Sequence, residues 1–303
     1  MSVPHPTTTP STPAARPASA ASVGDVVDVL RGHRLTVLTG AGVSTDSGIP
    51  DYRGPDSPPR TPMTFQQFVG DEAFRRHYWA RNHVGWRHVH RTLPNAGHRA
   101  LAALEGRGVV HGLITQNVDL LHEAAGSRHV IDLHGRYDRV VCLRCGTVVP
   151  RSALAERLEA LNPGFVDRVR EVADVEIAPD ADAVVEQTAD FRVQACWADD
   201  PDGLPGACGG MLKPDIVYFG ENVPRERVER AYAMVDAADA LLVAGSSLTV
   251  QSGLRFVRHA AQAGKPVVVV NRGATRGDRY ATLTLDAGTS ETLTDLVELL
   301  PSP

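Results

Sequence analysis

Residues 40–54, reading GAGVSTDSGIPDYRG, constrain this chain more than any other stretch. They follow a short apolar run of β type, LTVL at residues 35–38. A strand that ends in Gly-Ala-Gly and opens a helix is a phosphate cradle. The glycines allow close backbone approach, and the first helical turn offers N–H groups to an anion. Gly40, Ala41 and Gly42 are therefore candidate phosphate contacts. The common dinucleotide fingerprint asks for a third glycine where this chain has Thr45, so the match to a hydride-transfer dehydrogenase fails. In its place an acidic, an aromatic and a basic residue, Asp51, Tyr52 and Arg53, follow closely.

The rest of the chain reads as alternating elements. Helices are expected over residues 23–30, 65–90, 98–104, 225–236 and 289–300, with a helix start over 117–125. Short apolar strands are expected over 35–38, 109–115, 130–133, 216–219, 240–244 and 266–270. The runs at 240–244 and 266–270 are continuously apolar, as strands buried on both faces are. Strands alternating with helices predict an α/β fold with a doubly wound parallel sheet. The length of 303 residues suffices for one large domain, or for one domain with an insert.

Composition excludes some functions. The net charge of −5 gives no global basic field, so nucleic acid is not an expected partner. No apolar run approaches the roughly 18 residues that a membrane span needs. Residues 1–22 are mostly Ala, Pro, Ser and Thr, with a single Arg16 and no acid, and read as a disordered tail. They are neither Arg-rich and amphipathic like a transit peptide, nor do they hold the apolar core of a secretory signal. A cytoplasmic protein is expected.

One region breaks the alternation. Residues 142–211 are rich in turns and acids, and hold all four cysteines. Cys142 and Cys145 are spaced as half of a zinc site, two thiolates on one tight turn. Cys196 and Cys208 are separated by WADDPDGLPGA, and a loop of that length still closes at little extra cost. One structural zinc ion is the expectation. Two disulfides are the alternative, which the missing secretory signal disfavours. A catalytic zinc would need an open position that four cysteines do not leave.

Further polar loops follow predicted strands, where ligands of parallel sheets bind. The first is Gln116, Asn117, Val118 and Asp119, in which Asn117 or Asp119 could equally cap a helix. His134, followed by a glycine, is placed as an acid or base near neutral pH. Gly245, Ser246 and Ser247 suit phosphate or ribose hydroxyls, and Asn271, Arg272 and Gly273 end the next strand. Each loop alone is ordinary turn chemistry. Their recurrence at strand ends carries the argument.

In this order GAGVSTDSGIPDYRG, TQNVD, LHG, the Cys142/Cys145 pair, CGGMLKPDIVYFGE, AGSSL and NRG resemble the sirtuins, over about residues 23–300. YWARNHVGW and LHGRYDRVVCLRCG are most similar to class II, the group with the mitochondrial lipoamidase-type members. The resemblance implies a Rossmann-like NAD-binding domain (23–140 and 212–303), a helical insert (about 59–95) and a small zinc module (141–211). It implies an NAD-dependent protein-lysine deacylase whose partners are acyl-lysine proteins. The acyl oxygen would attack the nicotinamide ribose, nicotinamide would leave, and an O-acyl-ADP-ribose and free lysine would follow. By resemblance His134 is the general base, Asn117 positions ribose and water, and Asp119 holds the carboxamide. Arg53 and the glycines line the phosphates, and Tyr52 shields the ribose. Ser246 and Asn271 hold the remaining phosphate and adenosine groups. Thr45, Asp51 and Thr289 belong to the NAD site as well. Val217, Tyr218, Phe219 and Gly220 would pair with the substrate peptide as a strand. Tyr78 and Arg81 have the spacing of an acid-acyl-selecting pair, since Arg binds carboxylates bidentately; a packed Tyr beside an exposed Arg is the plain alternative. Mono-ADP-ribosyl transfer and a non-catalytic NAD sensor remain open beside deacylation.

Overall fold

The central strands form because aliphatic residues dominate both of their faces, with the Thr36 and Thr39 hydroxyls hydrogen-bonded. In β1 (Leu35–Thr39) and β7 (Ala240–Ala244) every residue is buried. Burying one such aliphatic side chain contributes about 1.5–3 kcal/mol. The structure is a computed structural model, and it describes residues 21–52, 62–172, 188–199 and 208–301. Most of the tail, Arg53 and most of the loop between Cys196 and Cys208 lie outside the described residues.

The main sheet has six parallel strands in the order β3-β2-β1-β7-β8-β9. Besides β1 and β7 these are β2 (Val110–Thr115), β3 (Val130–Asp132), β8 (Val267–Asn271) and β9 (Leu283–Asp286). Helices α1 (Val23–Leu30), α4 (Ala96–Gly106) and α10 (Thr289–Leu299) cover one face, packed on Leu35 and Val37. Helices α8 (Arg225–Ala237) and α9 (Gln251–Gln262) cover the other, packed on Leu38, Leu241 and Val243. Strand order reverses between β1 and β7, and the crevice beyond their carboxyl ends is where such folds bind ligands.

The second sheet is small and antiparallel, β5-β4-β6, from β4 (Gly135–Cys142), β5 (Val148–Pro150) and β6 (Leu212–Ile216). It carries α6 (Arg151–Leu161) and α7 (Phe165–Val172). Its core merges with α2 (Phe65–Gly70) and α3 (Glu72–Val89). One turn of helix, α5 (Leu121–Ala124), completes the set.

Three expectations are corrected here. No α-helix opens at Gly40; two 3-10 turns, Ala41–Val43 and Thr45–Ser47, stand there instead. The helix expected from residue 117 starts only at Leu121, because Leu120 takes a left-handed φ of 64°. The strand near 216–219 ends at Ile216, where antiparallel pairing with β4 fixes its register. Helices α6, α7 and α9 and strands β4, β5 and β9 are additions; α6 buries Leu154 and Leu158 one turn apart behind a mostly polar surface.

Candidate active site

The glycines of the first loop are spent on another backbone. A Cβ on Gly40 would come within 2.8 Å of the Gly245 carbonyl and of Ser246, and one on Gly42 within 2.9 Å of the same carbonyl. Gly245 has φ +64°, and a Cβ there would sit 2.4 Å from the Val43 amide. The Gly40 N–H bonds to the Ala244 carbonyl (3.2 Å), and the Gly42 N–H to that of Gly245 (2.9 Å). These two donors therefore knit the β1 and β7 loops together. They are not the free anion donors that the sequence suggests. Thr289 and Thr45 support the same turn, both donating to the Gly42 carbonyl, at 3.3 and 3.1 Å.

A cleft opens at this switch point. Its lining includes Gly40, Ala41, Gly42, Asp51, Tyr52, Gln116, Asn117, Val118, Asp119 and His134. Val217, Tyr218, Phe219, Gly245, Ser246, Ser247, Asn271 and Arg272 complete the expected set that meets there. Thr45, Gly220, Gly273, Thr289, Tyr78 and Arg81 are not among the described lining residues. Gly273 is held by Asp286 (3.0 Å). The sequence reading missed Ser44, Ile49, Met63, Ile216, Leu248, Thr249 and Val250. Ser44 lay within the glycine-rich segment and was legible there; the apolar residues carry no local signal.

Beneath the cleft runs a buried polar network. Asn117 Nδ2 donates to Ser44 Oγ (3.0 Å) and to the Gly40 carbonyl (3.1 Å). Ser44 Oγ donates to Asp119 Oδ2 (2.7 Å), whose other oxygen accepts from the Leu121 amide (3.0 Å). Burial pushes the Asp119 carboxyl above the usual range. His98 and His122 lie behind, their rings 4.7 Å apart, and burial pushes both imidazoles down, His98 to about 4. Leu120 and Leu248, at φ 64° and 53°, are the non-glycine residues with positive φ among the described residues. Both sit in the strand-end loops, where strain of about 1–3 kcal/mol is characteristic of working sites.

His134 follows β3. Its Nδ1 stands 2.9 Å from the Gln116 carbonyl and its Nε2 2.7 Å from Ser252 Oγ. Burial lowers its pKa to about 4, so the ring is neutral at pH 7. A carbonyl only accepts, so Nδ1 carries the hydrogen and Nε2 keeps its lone pair. The cleft wall beyond β6 is braced from within. Glu221 accepts from the Tyr218 amide (2.9 Å) and pairs with buried Lys213 (3.1 Å). The Val217 N–H donates to the His134 carbonyl and the Phe219 carbonyl accepts from Phe65 N–H, so these two groups are not open to a peptide.

Tyr78 is buried edge-on against Tyr218, with ring centres 5.4 Å apart, and so stands behind the cleft wall. Arg81 donates to His77 Nε2 (3.2 Å).

The cysteines converge as expected. Their four sulfurs lie within 4.8 Å of one another, with Cys142 and Cys208 3.7 Å apart and Cys145 and Cys196 3.9 Å apart. All four are free thiols, so the disulfide alternative fails. Zinc–sulfur bonds of about 2.3 Å in a tetrahedron put sulfurs about 3.8 Å apart, so the donor set fits zinc. Gly210 makes room, since a Cβ there would meet Cys142 Sγ at 2.6 Å.

The chain matches the Sir2 family over residues 40–252. It belongs to that family. A curated relative, NAD-dependent protein deacetylase 1 of Mycobacterium avium (strain 104), is 64% identical over 92% of this chain and 96% of its own length. Its namesake in Streptomyces coelicolor is 54% identical over 88% of this chain and 85% of its own. A solved structure of Sir2 with p53 peptide and NAD+ superposes with a TM-score of 0.70 at 31% identity, covering 92% and 98% of the two chains. The α/β sirtuin fold and the zinc-type cysteine cluster are thus established for this chain.

Proposed function

We propose that this sirtuin is an NAD-dependent protein-lysine deacetylase, which passes the acyl group from lysine to ADP-ribose and releases nicotinamide. The observation that carries this is His134: a neutral imidazole, its lone pair on Nε2, in a cleft at the sheet's switch point. The named relatives support it. NAD, consumed as co-substrate, supplies an anomeric carbon that loses nicotinamide and takes the acyl oxygen. His134 takes a proton from a ribose hydroxyl, which frees that oxygen to attack the acyl carbon. Asn117 holds the ribose and a water; Ser44 fixes its amide. Asp119 holds the carboxamide, its raised pKa suiting it to a hydrogen bond with a neutral ligand. Ala41 faces the phosphates, Gly40 and Gly42 provide the close surface, and Tyr52 shields the ribose; a phosphate role for Arg53 rests on the resemblance. Ser246 and Asn271 take the remaining phosphate and adenosine groups. The peptide pairs with the main-chain groups of residues 217–220 that the fold leaves open.

Cys142, Cys145, Cys196 and Cys208 hold zinc, which ties the second lobe together and takes no part in the chemistry. We assign residues 23–140 and 212–303 to the NAD-binding domain, about 59–95 to its helical insert and 141–211 to the zinc module. We place the chain in class II on YWARNHVGW and LHGRYDRVVCLRCG, and in the cytoplasm, where four free thiols stay reduced. Among the described residues no helix is long and apolar enough to cross a membrane.

The test is nicotinamide release over a panel of acyl-lysine peptides, from acetyl through succinyl and glutaryl to lipoyl. Release with free lysine, and deacylation lost by about 10²–10⁴-fold in His134→Ala, supports the assignment. Labelled protein without free lysine turns it to ADP-ribosyl transfer. NAD binding without any release turns it to sensing. Arg81→Ala on succinyl and acetyl peptides tests Tyr78 and Arg81: a loss confined to succinyl supports acyl selection, and an equal loss on both sinks it.

A further inference from the structure

His134 has one lone pair to work with, and Ser252 already holds it. The Gln116 carbonyl commits Nδ1 to carrying a hydrogen, so across the 2.7 Å contact Ser252 Oγ–H donates and Nε2 accepts. The two side chains come from different elements, His134 from the end of β3, where it lines the cleft, and Ser252 from the first turn of α9. Both lean on one residue. Gln116 accepts from His134 through its carbonyl, and a Cβ on Gly253 would stand 2.7 Å from its side-chain amide, so α9 packs close upon it. Ser246 Oγ fixes that amide in turn, donating to Oε1 at 2.6 Å. Ser252 is 8% exposed, and Val250, two residues earlier, lines the cleft. A serine in a first helical turn commonly turns its hydroxyl to its own backbone. This one is spent on the imidazole.

A ribose hydroxyl that needs Nε2 as base must therefore expel Ser252 or work through it. We propose that Ser252 is a catalytic relay in the deacylation step, a role that rests on the deacetylase reading above. The ribose O–H donates to Ser252 Oγ while Ser252 O–H donates to Nε2. The ribose O–H bond breaks and its electron pair forms the bond to the acyl carbon, whose C=N π bond, formed when the acyl oxygen displaced nicotinamide, breaks with its pair going to the lysine nitrogen. Its proton goes to Ser252 Oγ, and the original serine proton goes to His134. The imidazolium that results keeps a partner, because its Nε2–H now donates to the serine oxygen. That partner counts in a site whose burial disfavours the charged ring, and where Arg227 and Arg255 add positive charge nearby.

The experiment compares wild type, Ser252→Ala, Ser252→Thr and His134→Ala in two assays on one acetyl-lysine peptide. Nicotinamide exchange reads the step before the proton transfer, and deacylation reads the step after it. A relay predicts that Ser252→Ala loses deacylation by about 10²-fold, in the range of a general base contribution, while exchange falls far less. Ser252→Thr, which keeps the hydroxyl, recovers most of it. Deacylation unchanged or faster in Ser252→Ala overturns the relay, since the serine then only fills the lone pair of an empty site. An equal fall in exchange and deacylation that threonine does not rescue also overturns it, as a packing effect. Absence of peptide-dependent release in wild type would instead defeat the deacetylase reading itself.

Discussion

The two sheets of this molecule are held by different means. In the six-stranded sheet β1 and β7 are buried along their whole length, and each face has its own apolar helices. In the three-stranded sheet β4 alternates irregularly between buried and half-buried residues, and β5 is half-buried or exposed. Its core is shared with the insert, where Phe68, Tyr78 and Trp79 pack with Leu154, Leu158, Phe191 and the cysteines. One sheet stands on burial that its own strands supply. The other stands on a borrowed aromatic core and four converging thiols. A structural zinc site contributes folding free energy outright, on the order of 10 kcal/mol. The lobe with the poorer core carries the four-cysteine site.

The largest effect expected follows from that contrast. Removing zinc, or Cys142→Ala, should melt the smaller lobe and abolish deacylation, while the parallel sheet keeps its helical circular dichroism. Zinc content, activity and a two-step thermal melt check it. Full activity in metal-free protein would erase the distinction between the lobes. Next comes Gly245→Ala in the larger body, which needs the new Cβ where the Val43 amide stands and a left-handed φ. It should cost a few kcal/mol and raise the KM for NAD, with the cysteine lobe untouched. An unchanged KM would mean that the knitting of the two loops does not shape the cleft. Smaller again is Lys213→Met, which leaves Glu221 without its buried cation. A broken buried pair costs about 3–5 kcal/mol in full burial, and less here because Glu221 is part-exposed. The KM for peptide should rise more than that for NAD, because Glu221 holds the Tyr218 amide.

The same contrast explains what could be read from the chain alone. Strands such as ALLVA, apolar on both faces, announce themselves, as do the polar loops that end them. The cysteine lobe shows little beyond its thiols, because α6 buries leucines one turn apart inside a polar stretch and owes its place to aromatics from α3. The site divides likewise. Asn117, Asp119 and His134 stood at strand ends where function was expected. Ser252 was missed because it sits in the first turn of a helix, and only the fold brings it 118 residues back to His134. The glycine motif was recognised, but its reason was misread: Gly40 and Gly42 approach Gly245.

The smallest effect at any one residue concerns acid, and it should act on both regions. His98 and His134 in the larger body, and His83 between α3 and the cysteine lobe, are each pushed down to about 4, chiefly by burial. Neighbouring cations assist: Arg99 at His98, Arg227 and Arg255 at His134, Arg151 and Arg87 at His83, where Glu159 opposes them. The unfolded chain binds protons at these histidines near pH 6.5, while the folded chain resists until about 4. Stability is thus whole above 6.5 and is lost as pH falls from there toward 4, by about 1.4 kcal/mol per histidine for each pH unit. Urea unfolding of the zinc-loaded protein at pH 7, 6 and 5 checks the slope. Replacing His98 by Asn should make the slope shallower by one histidine's share, and His83→Asn should do the same. A stability that stays level from pH 7 to 5 would mean that these rings are hydrated in solution, and that burial does not hold His134 neutral for its work as a base.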